Sequence, residues 1–424
     1  MSVFRRILIT LFLIGGVASL VFGQAARSAF SSFGIGEYYG NSLAHNQGMA
    51  GVGISNPQYY YLNNKNPALL VYNRFTVFEG GLLLERRTVR GDSTKELNSN
   101  GNLNYLIMSF PVKPGKWTTS AGLMPYSSVN YALNYQNDIS GSTNTVDVTE
   151  KGSGGINQFY WSNGVTLYKN LSVGLKATYL FSSIINETTN SLTNTTQQVP
   201  YFPTIYERTN VKDFDLSLGI AYRIDSIGKK NYRLNFGAVY DFKTDLNSEL
   251  SQRLERRPID SSTDSVTLAT IEGTITLPQI FSGGISLSKG YQWTIGADFT
   301  YLDYKQYRGI DGQAPSNIKS AYRMALGFEF TPNLASPSSY LKRMTYRTGV
   351  SLDNYPYLVN NNNVRDFGIN FGLSLPVSRV SSLDIAVKFG QRADLQTNTI
   401  EEKYFKLYFG VTFNDQWFIK RKFD

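Results

Sequence analysis

The sequence predicts an all-β protein, a 14-stranded antiparallel transmembrane β-barrel with an N-terminal hatch inside its lumen. Three observations point there. Apolar residues alternate with small or polar ones along most of the chain past residue 74, the period of a strand with two unlike faces. The alternating runs reach the roughly 9–11 residues of a tilted membrane-crossing strand, beyond the usual ~5–6 of a soluble sandwich strand. Their apolar faces carry aromatic residues near the ends, as at Tyr232 and Phe242 or Trp293 and Tyr301, matching interfacial aromatic girdles.

Residues 1–23 read as a secretory signal peptide: Arg5 and Arg6, an apolar run from Ile7 to Phe22, then Gly23 before Gln24. The chain has no cysteine, which excludes a lipid anchor at the cleavage site, disulfides and thiolate chemistry. Past residue 23 no run approaches the ~20 apolar residues of a spanning helix. Residues 24–74 do not alternate, and Gly, Asn and Pro recur, so they form turns and bends rather than strands. An irregular leader of this length has a physical place if it sits inside the barrel, so 24–74 is expected to be the hatch.

The barrel is expected over 75–413, with strands near 75–87, 102–112, 117–127, 156–168, 171–184, 209–223, 231–243, 274–288, 292–305, 318–331, 343–353, 365–375, 381–392 and 403–413. In FGINFGLSL, for example, Phe367, Ile369, Phe371, Leu373 and Leu375 face one way while Gly368, Asn370, Gly372 and Ser374 face the other. Connections alternate between short ones (113–116, 169–170, 289–291, 376–380) and long ones such as 128–155, 185–208 and 244–273. Short turns inside and long loops outside are the asymmetry of an outer-membrane barrel of a Gram-negative bacterium, and they put both termini in the periplasm.

The polar face predicts a filled lumen. It carries Gly174, Gly219, Gly237, Gly296, Gly327, Gly349, Gly368, Gly372, Gly390 and Gly410, and glycine weakens a strand unless another backbone must come close. It also carries both signs of charge, among them Lys176, Asp215, Asp241, Asp298, Arg323, Glu329, Arg347, Asp384 and Lys388, which suits paired networks around a plug better than a one-sign ion filter.

Composition argues against other classes. There are 29 Tyr and 26 Phe against a single His, and charged residues make up only 17%. The lone His45 lies in the hatch, no acidic cluster has metal-ligand spacing, and no nucleophile or phosphate-loop motif occurs, so neither enzyme, metal nor cofactor is expected. The formal charge of +9 is spread along the chain, so nucleic acid is not implied.

GMAGVGI at 48–54 followed by NPALL at 66–70 resembles the hatch signature of the FadL-type (OmpP1/FadL/TodX-like) outer-membrane transporters. LPQIFSGGISLSKGYQWTIGADFTYLDYKQY at 277–307 and YRTGVSLDNYP at 346–356 are similar to further motifs of that family. With GGINQFYW at 154–161 and the NDQWFIKRK ending, the whole looks most like the variant of Bacteroidetes-type bacteria. The resemblance implies uptake of hydrophobic, fatty-acid-like small molecules, with lateral exit through a kink in the third strand, where Pro125 lies. It implies passage residues Phe30, Phe33, Tyr59, Tyr60 and Tyr61, with Asn66, Pro67 and Ala68 fixing the hatch. Partners would be outer-membrane lipid, a hydrophobic ligand and the barrel assembly machinery. The alternative is a FadL-like accessory barrel of a type IX secretion or gliding complex, with no solute transport.

The last strand, with Phe405, Leu407, Phe409, Val411 and Phe413 outward and Lys406, Tyr408 and Gly410 inward, would seal the barrel against the first. Residues 414–424 would form a basic-aromatic periplasmic tail, with Trp417 and Phe418 at the inner interface and Lys420, Arg421 and Lys422 just past it.

Overall fold

A computed structural model describes residues 25–415 apart from 93, 140, 142–144, 193–200, 229–231, 259–263 and 379. The signal peptide and the tail residues Trp417 to Lys422 lie outside the described residues. The wall is built of β1 (Thr76–Arg90), β2 (Lys95–Lys113), β3 (Trp117–Pro125 and Ser127–Asp138), β4 (Thr145–Tyr168), β5 (Leu171–Leu192), β6 (Tyr201–Ile227) and β7 (Tyr232–Asp241 and Thr244–Pro258). It continues with β8 (Asp264–Leu277 and Ile280–Lys289), β9 (Trp293–Leu302), β10 (Ala321–Phe330), β11 (Thr345–Val359), β12 (Asn362–Pro376), β13 (Ser382–Arg392) and β14 (Glu401–Asp415). Neighbours in sequence pair antiparallel, and β14 closes on β1 from Glu401↔Arg90 to Asp415↔Thr76, giving a closed 14-stranded barrel.

The lipid-facing side is the apolar one. Phe281, Ile295, Phe328, Phe367, Phe371 and Phe409 are exposed, whereas Asn370, Ser374, Asp384 and Thr412 of the opposite face are buried. That inversion of a soluble protein is what a barrel in hydrocarbon requires. No described helix is long and apolar enough to cross a membrane.

The expected loops at 128–155, 185–208 and 244–273 are in large part strand. β3 to β8 rise well past the outer ends of β9 to β14, as a sheet standing on the outer rim. In water both faces of such a sheet are wet, so the apolar alternation that marks a strand in lipid fades. The inner turns are short: Lys116 N–H donates to Lys113 O at 2.8 Å, and Gln292 N–H to Lys289 O at 3.0 Å.

Among the described residues, Ala25 and Asp415 lie towards opposite ends of the barrel. Asp415 sits at the short-turn end opposite Thr76. Ala25 lies in the outer half, where its carbonyl accepts from the side-chain amides of Asn130, at 2.5 Å, and Asn100, at 3.4 Å.

Candidate functional site

The hatch fills the barrel and rests on glycines. Gly296, Gly327 and Gly349 stand opposite one another on β9, β10 and β11, as do Gly237 and Gly284 on β7 and β8, and Gly164, Gly174 and Gly219 on β4, β5 and β6. Together they form most of a girdle at one level of the lumen. A Cβ on Gly327 or Gly349 would lie 2.6 Å from Met49 backbone atoms, and one on Gly237, Gly174 or Gly219 would overlap Ile54, Pro67 or Asn66. Of the glycines singled out above, Gly368 and Gly390 do otherwise: they make room for the wall side chains Lys388 and Tyr404.

Polar contacts complete the seating. Asp298 of β9 accepts from Gly53 N–H at 2.8 Å and Ile54 N–H at 3.1 Å, and pairs with Lys65 at 3.2 Å. Arg323 donates to Ala50 O at 3.0 Å, and the Asn370 amide to Gln47 O at 2.7 Å. Asn66, fully buried, accepts from Ala68 N–H and donates to Ile54 O at 2.8 Å, capping the short helix Pro67–Tyr72. Pro67 and Ala68 lie in that short helix, against Gly174 of β5.

The outer half of the hatch is held by a buried ionic cluster. Glu37, in the two-residue strand Glu37–Tyr38, accepts from Arg392 at 2.6 Å and Arg87 at 3.2 Å, with Lys406 at 3.7 Å. Arg87 also pairs with Glu85 and Glu402, both at 2.6 Å, and Arg392 with Asp366 at 3.0 Å. Glu402 accepts from Ser28 Oγ at 2.8 Å and Ala29 N–H at 3.1 Å. Burial alone would raise the Glu37 pKa, but the guanidinium groups of Arg392 and Arg87 and the Lys406 ammonium hold it well below the usual carboxylate range. Apart from Lys388 and Lys406, sequence reasoning missed this cluster. Glu85, Arg87, Asp366, Arg392 and Glu402 stand on strand ends that the alternation had placed near or beyond the membrane boundary.

The wall is incomplete beside this cluster. The ladder between β2 and β3 ends outward at Leu106↔Leu123, while β2 continues to Lys95 with β1 alone as its ladder partner. The inner piece of β3 ends at Pro125, which lacks an N–H, and the outer piece pairs with β4 and with the hatch strand. Opposite the break, Gly154 and Gly155 adopt φ of 103° and 145°, and a Cβ on Gly155 would overlap Ser127 O of the displaced strand. The hatch fills the opening: Glu37↔Ser128 and Tyr38↔Ser127 pair as a ladder, Tyr39 N–H donates to Tyr126 O at 3.0 Å, and Ser28 N–H to Asn130 O at 2.9 Å.

Two of the cavities that adjoin the hatch hold its aromatic residues at either end. The larger, about 210 Å³, lies beside the break and is lined by Phe33, Tyr38, Tyr304, Tyr307 and Tyr357, but also by Glu37, Arg323, Lys388, Arg392 and Lys406. The smaller, about 100 Å³, lies at the inner end among Tyr59, Tyr60, Tyr61, Tyr291 and Arg347. The structure thus separates the expected passage residues. Phe30 is buried, and with Phe33 it stacks on Tyr357 in the outer half, at ring distances of 5.8 and 4.4 Å. Tyr59 meets Tyr291, Tyr60 stacks on Phe75 and Tyr61 on His45 at the inner end. His45 finds no hydrogen-bond partner for either ring nitrogen among the described residues, contrary to the usual satisfied structural histidine. No described group of three or more His, Cys, Asp or Glu is placed to hold a metal.

A closed barrel with an apolar outside and a plug locked into a polar lumen defines a transmembrane protein of the outer-membrane type. The chain belongs to the BamG family, which matches it over residues 3–424. Its fold is that of FadL-type barrels. The toluene transporter TodX of Pseudomonas putida is 15% identical, covering 91% of this chain and 100% of that one with a TM-score of 0.57. The toluene transporter TbuX of Ralstonia pickettii is 14% identical, with 89% and 98% covered and a TM-score of 0.55. A FadL homologue of Pseudomonas aeruginosa is 10% identical, with 89% and 98% covered and a TM-score of 0.55. No curated protein matches the sequence.

Proposed function

We propose that this barrel is a lumen-sealed accessory subunit of an outer-membrane complex, and that the complex is the barrel assembly machinery to which its family's name points. The observation that carries this reading is the close seating of the hatch. The hatch is bound to β4 through β12 by backbone-on-glycine contacts, and its outer half is held by Arg87, Arg392 and Glu402 against the break in β3. The space beside it has aromatic lining on one side, but on the other Glu37, Arg392 and Lys406, engaged with one another, oppose the passage of an apolar solute. The family name favours the assembly machinery over a type IX secretion or gliding complex as the partner. The test is isolation of the protein from its own outer membrane in mild detergent. Stoichiometric recovery with the assembly machinery, and fewer folded outer-membrane barrels when the chain is depleted, are expected. A solitary barrel would overturn the reading.

A second reading has its own support. The aromatic side of the larger cavity, next to the opening between β2 and β3, suits capture of a hydrophobic or fatty-acid-like compound and its lateral release near Pro125. The similarity in fold to toluene transporters and a monoaromatic hydrocarbon channel favours it too. Mass spectrometry of the purified barrel would then find a bound apolar compound, and substitutions at Phe33 and Tyr357 would release it.

A further inference from the structure

The outer-rim sheet ends in an open edge. The outer piece of β8, Asp264–Leu277, pairs with β7 from Asp264↔Arg256 to Leu277↔Thr244. On its other side the loop after β9 bridges Thr276 through Arg308 and packs Ile310 against Gly273. From Asp264 to Glu272 the strand has no second ladder partner among the described residues, because β9 stops at Leu302, the partner of Ile280. Soluble segments normally protect such an edge with lysine, proline or a covering loop. Here the stretch reads DSVTLATIE, without proline or a basic residue; one bulge interrupts it, since Thr267 and Ala269 pair with adjacent residues of β7 and Leu268 is the extra residue, and Val266, Leu268 and Ile271 are exposed by 62%, 53% and 43%.

The charges say what the edge lacks. Glu272 stands directly across from Glu249 of β7, and both are exposed. Neither carboxylate has an ion-pair partner among the described residues. Like charges directly opposite on a sheet destabilise it, and a strand added on the open side would place one residue beside Glu272. A lysine or arginine there would turn the repulsion into an attraction.

We propose that the edge Asp264–Glu272 is a docking strand for an extended segment of a partner protein on the cell's outer face. The segment adds to the sheet through main-chain hydrogen bonds, sets apolar residues beside Val266 and Leu268, and carries a basic residue opposite Glu272. The open ladder dictates the extended backbone, the exposed apolar side chains dictate alternation, and the Glu249–Glu272 pair dictates the charge. The inference rests on the accessory-subunit reading and names the surface through which one partner binds.

The test places a photo-reactive residue at Val266, Leu268 or Thr270 of the full-length protein in its own outer membrane. All three positions should attach to one partner segment, in a single register that shifts by one residue at the Leu268 bulge. Glu272→Lys should lower the Thr270 adduct at least tenfold. That substitution removes the like-charge pair within the sheet, so it should not unfold the barrel, which unheated gel migration will show. Absence of adducts from folded barrels, adducts scattered without register, adducts to a second copy of this chain, or undiminished capture by Glu272→Lys would each overturn the proposal. If the assembly machinery still co-purifies in any of these cases, the docking strand fails and the subunit reading stands; if nothing co-purifies, the subunit reading fails.

Discussion

At the residue scale, Glu37 shows how a single carboxylate can hold a plug. It is the hatch's carboxylate among Arg87, Arg392 and Lys406, so Glu37→Gln breaks the hatch's own ion pairs with the wall, while the wall carboxylates Glu85, Glu402 and Asp366 stay paired with the two guanidinium groups. Breaking a buried pair from one side costs about 3–5 kcal/mol. The expected result is hydrogen exchange across residues 28–39 faster by about 100-fold, with the wall's exchange unchanged. His45 offers a pH-dependent readout. Its burial first, and then the positive charge of Arg347, hold the imidazole pKa well below the usual range, while the unfolded chain takes up a proton below about pH 6.5. Stability should therefore be complete above about pH 6.5 and decline as pH falls below it towards the depressed folded value. His45→Phe, which keeps the stack on Tyr61, should flatten that decline in melting temperature.

At the scale of elements, the glycine girdle and the broken β3 decide how hatch and wall fit. Gly349 and Gly368 look alike in sequence, both on the polar face of alternating strands. In the structure Gly349 faces the Met49 and Ala50 backbone, whereas Gly368 faces the end of the Lys388 side chain. Gly349→Val should displace residues 48–54 and expose them to proteases, since backbone cannot step aside. Gly368→Val should leave the hatch in place, because the end of a lysine side chain can move. Equal cleavage of the two variants would refute the girdle's role. Pro125 marks the break, yet the opening is also written in Gly154 and Gly155 on the next strand and in the hatch strand that fills it.

At the scale of the whole molecule, the wall closes on itself through β14 and β1 without help from the hatch. A chain lacking residues 25–74 should still run as a folded barrel on unheated gels but conduct ions in a planar bilayer, where the full chain should stay silent. The number of strands, their inner turns and the direction of their apolar faces were legible in the sequence, because lipid on one side and a polar lumen on the other impose period two on every crossing strand. A hatch could be expected from the sequence, since residues 24–74 lack that period and glycine on the inward face leaves room for another backbone. The cluster around Glu37, the filled opening beside β3 and the open edge of β8 could not be read there. Each depends on residues far apart in the chain meeting at one level of a closed sheet, as Glu37 meets Arg392 and Ser28 meets Glu402. Local periodicity reports which solvent a residue faces. Which residue it faces is set by register, and register is settled only when the barrel closes.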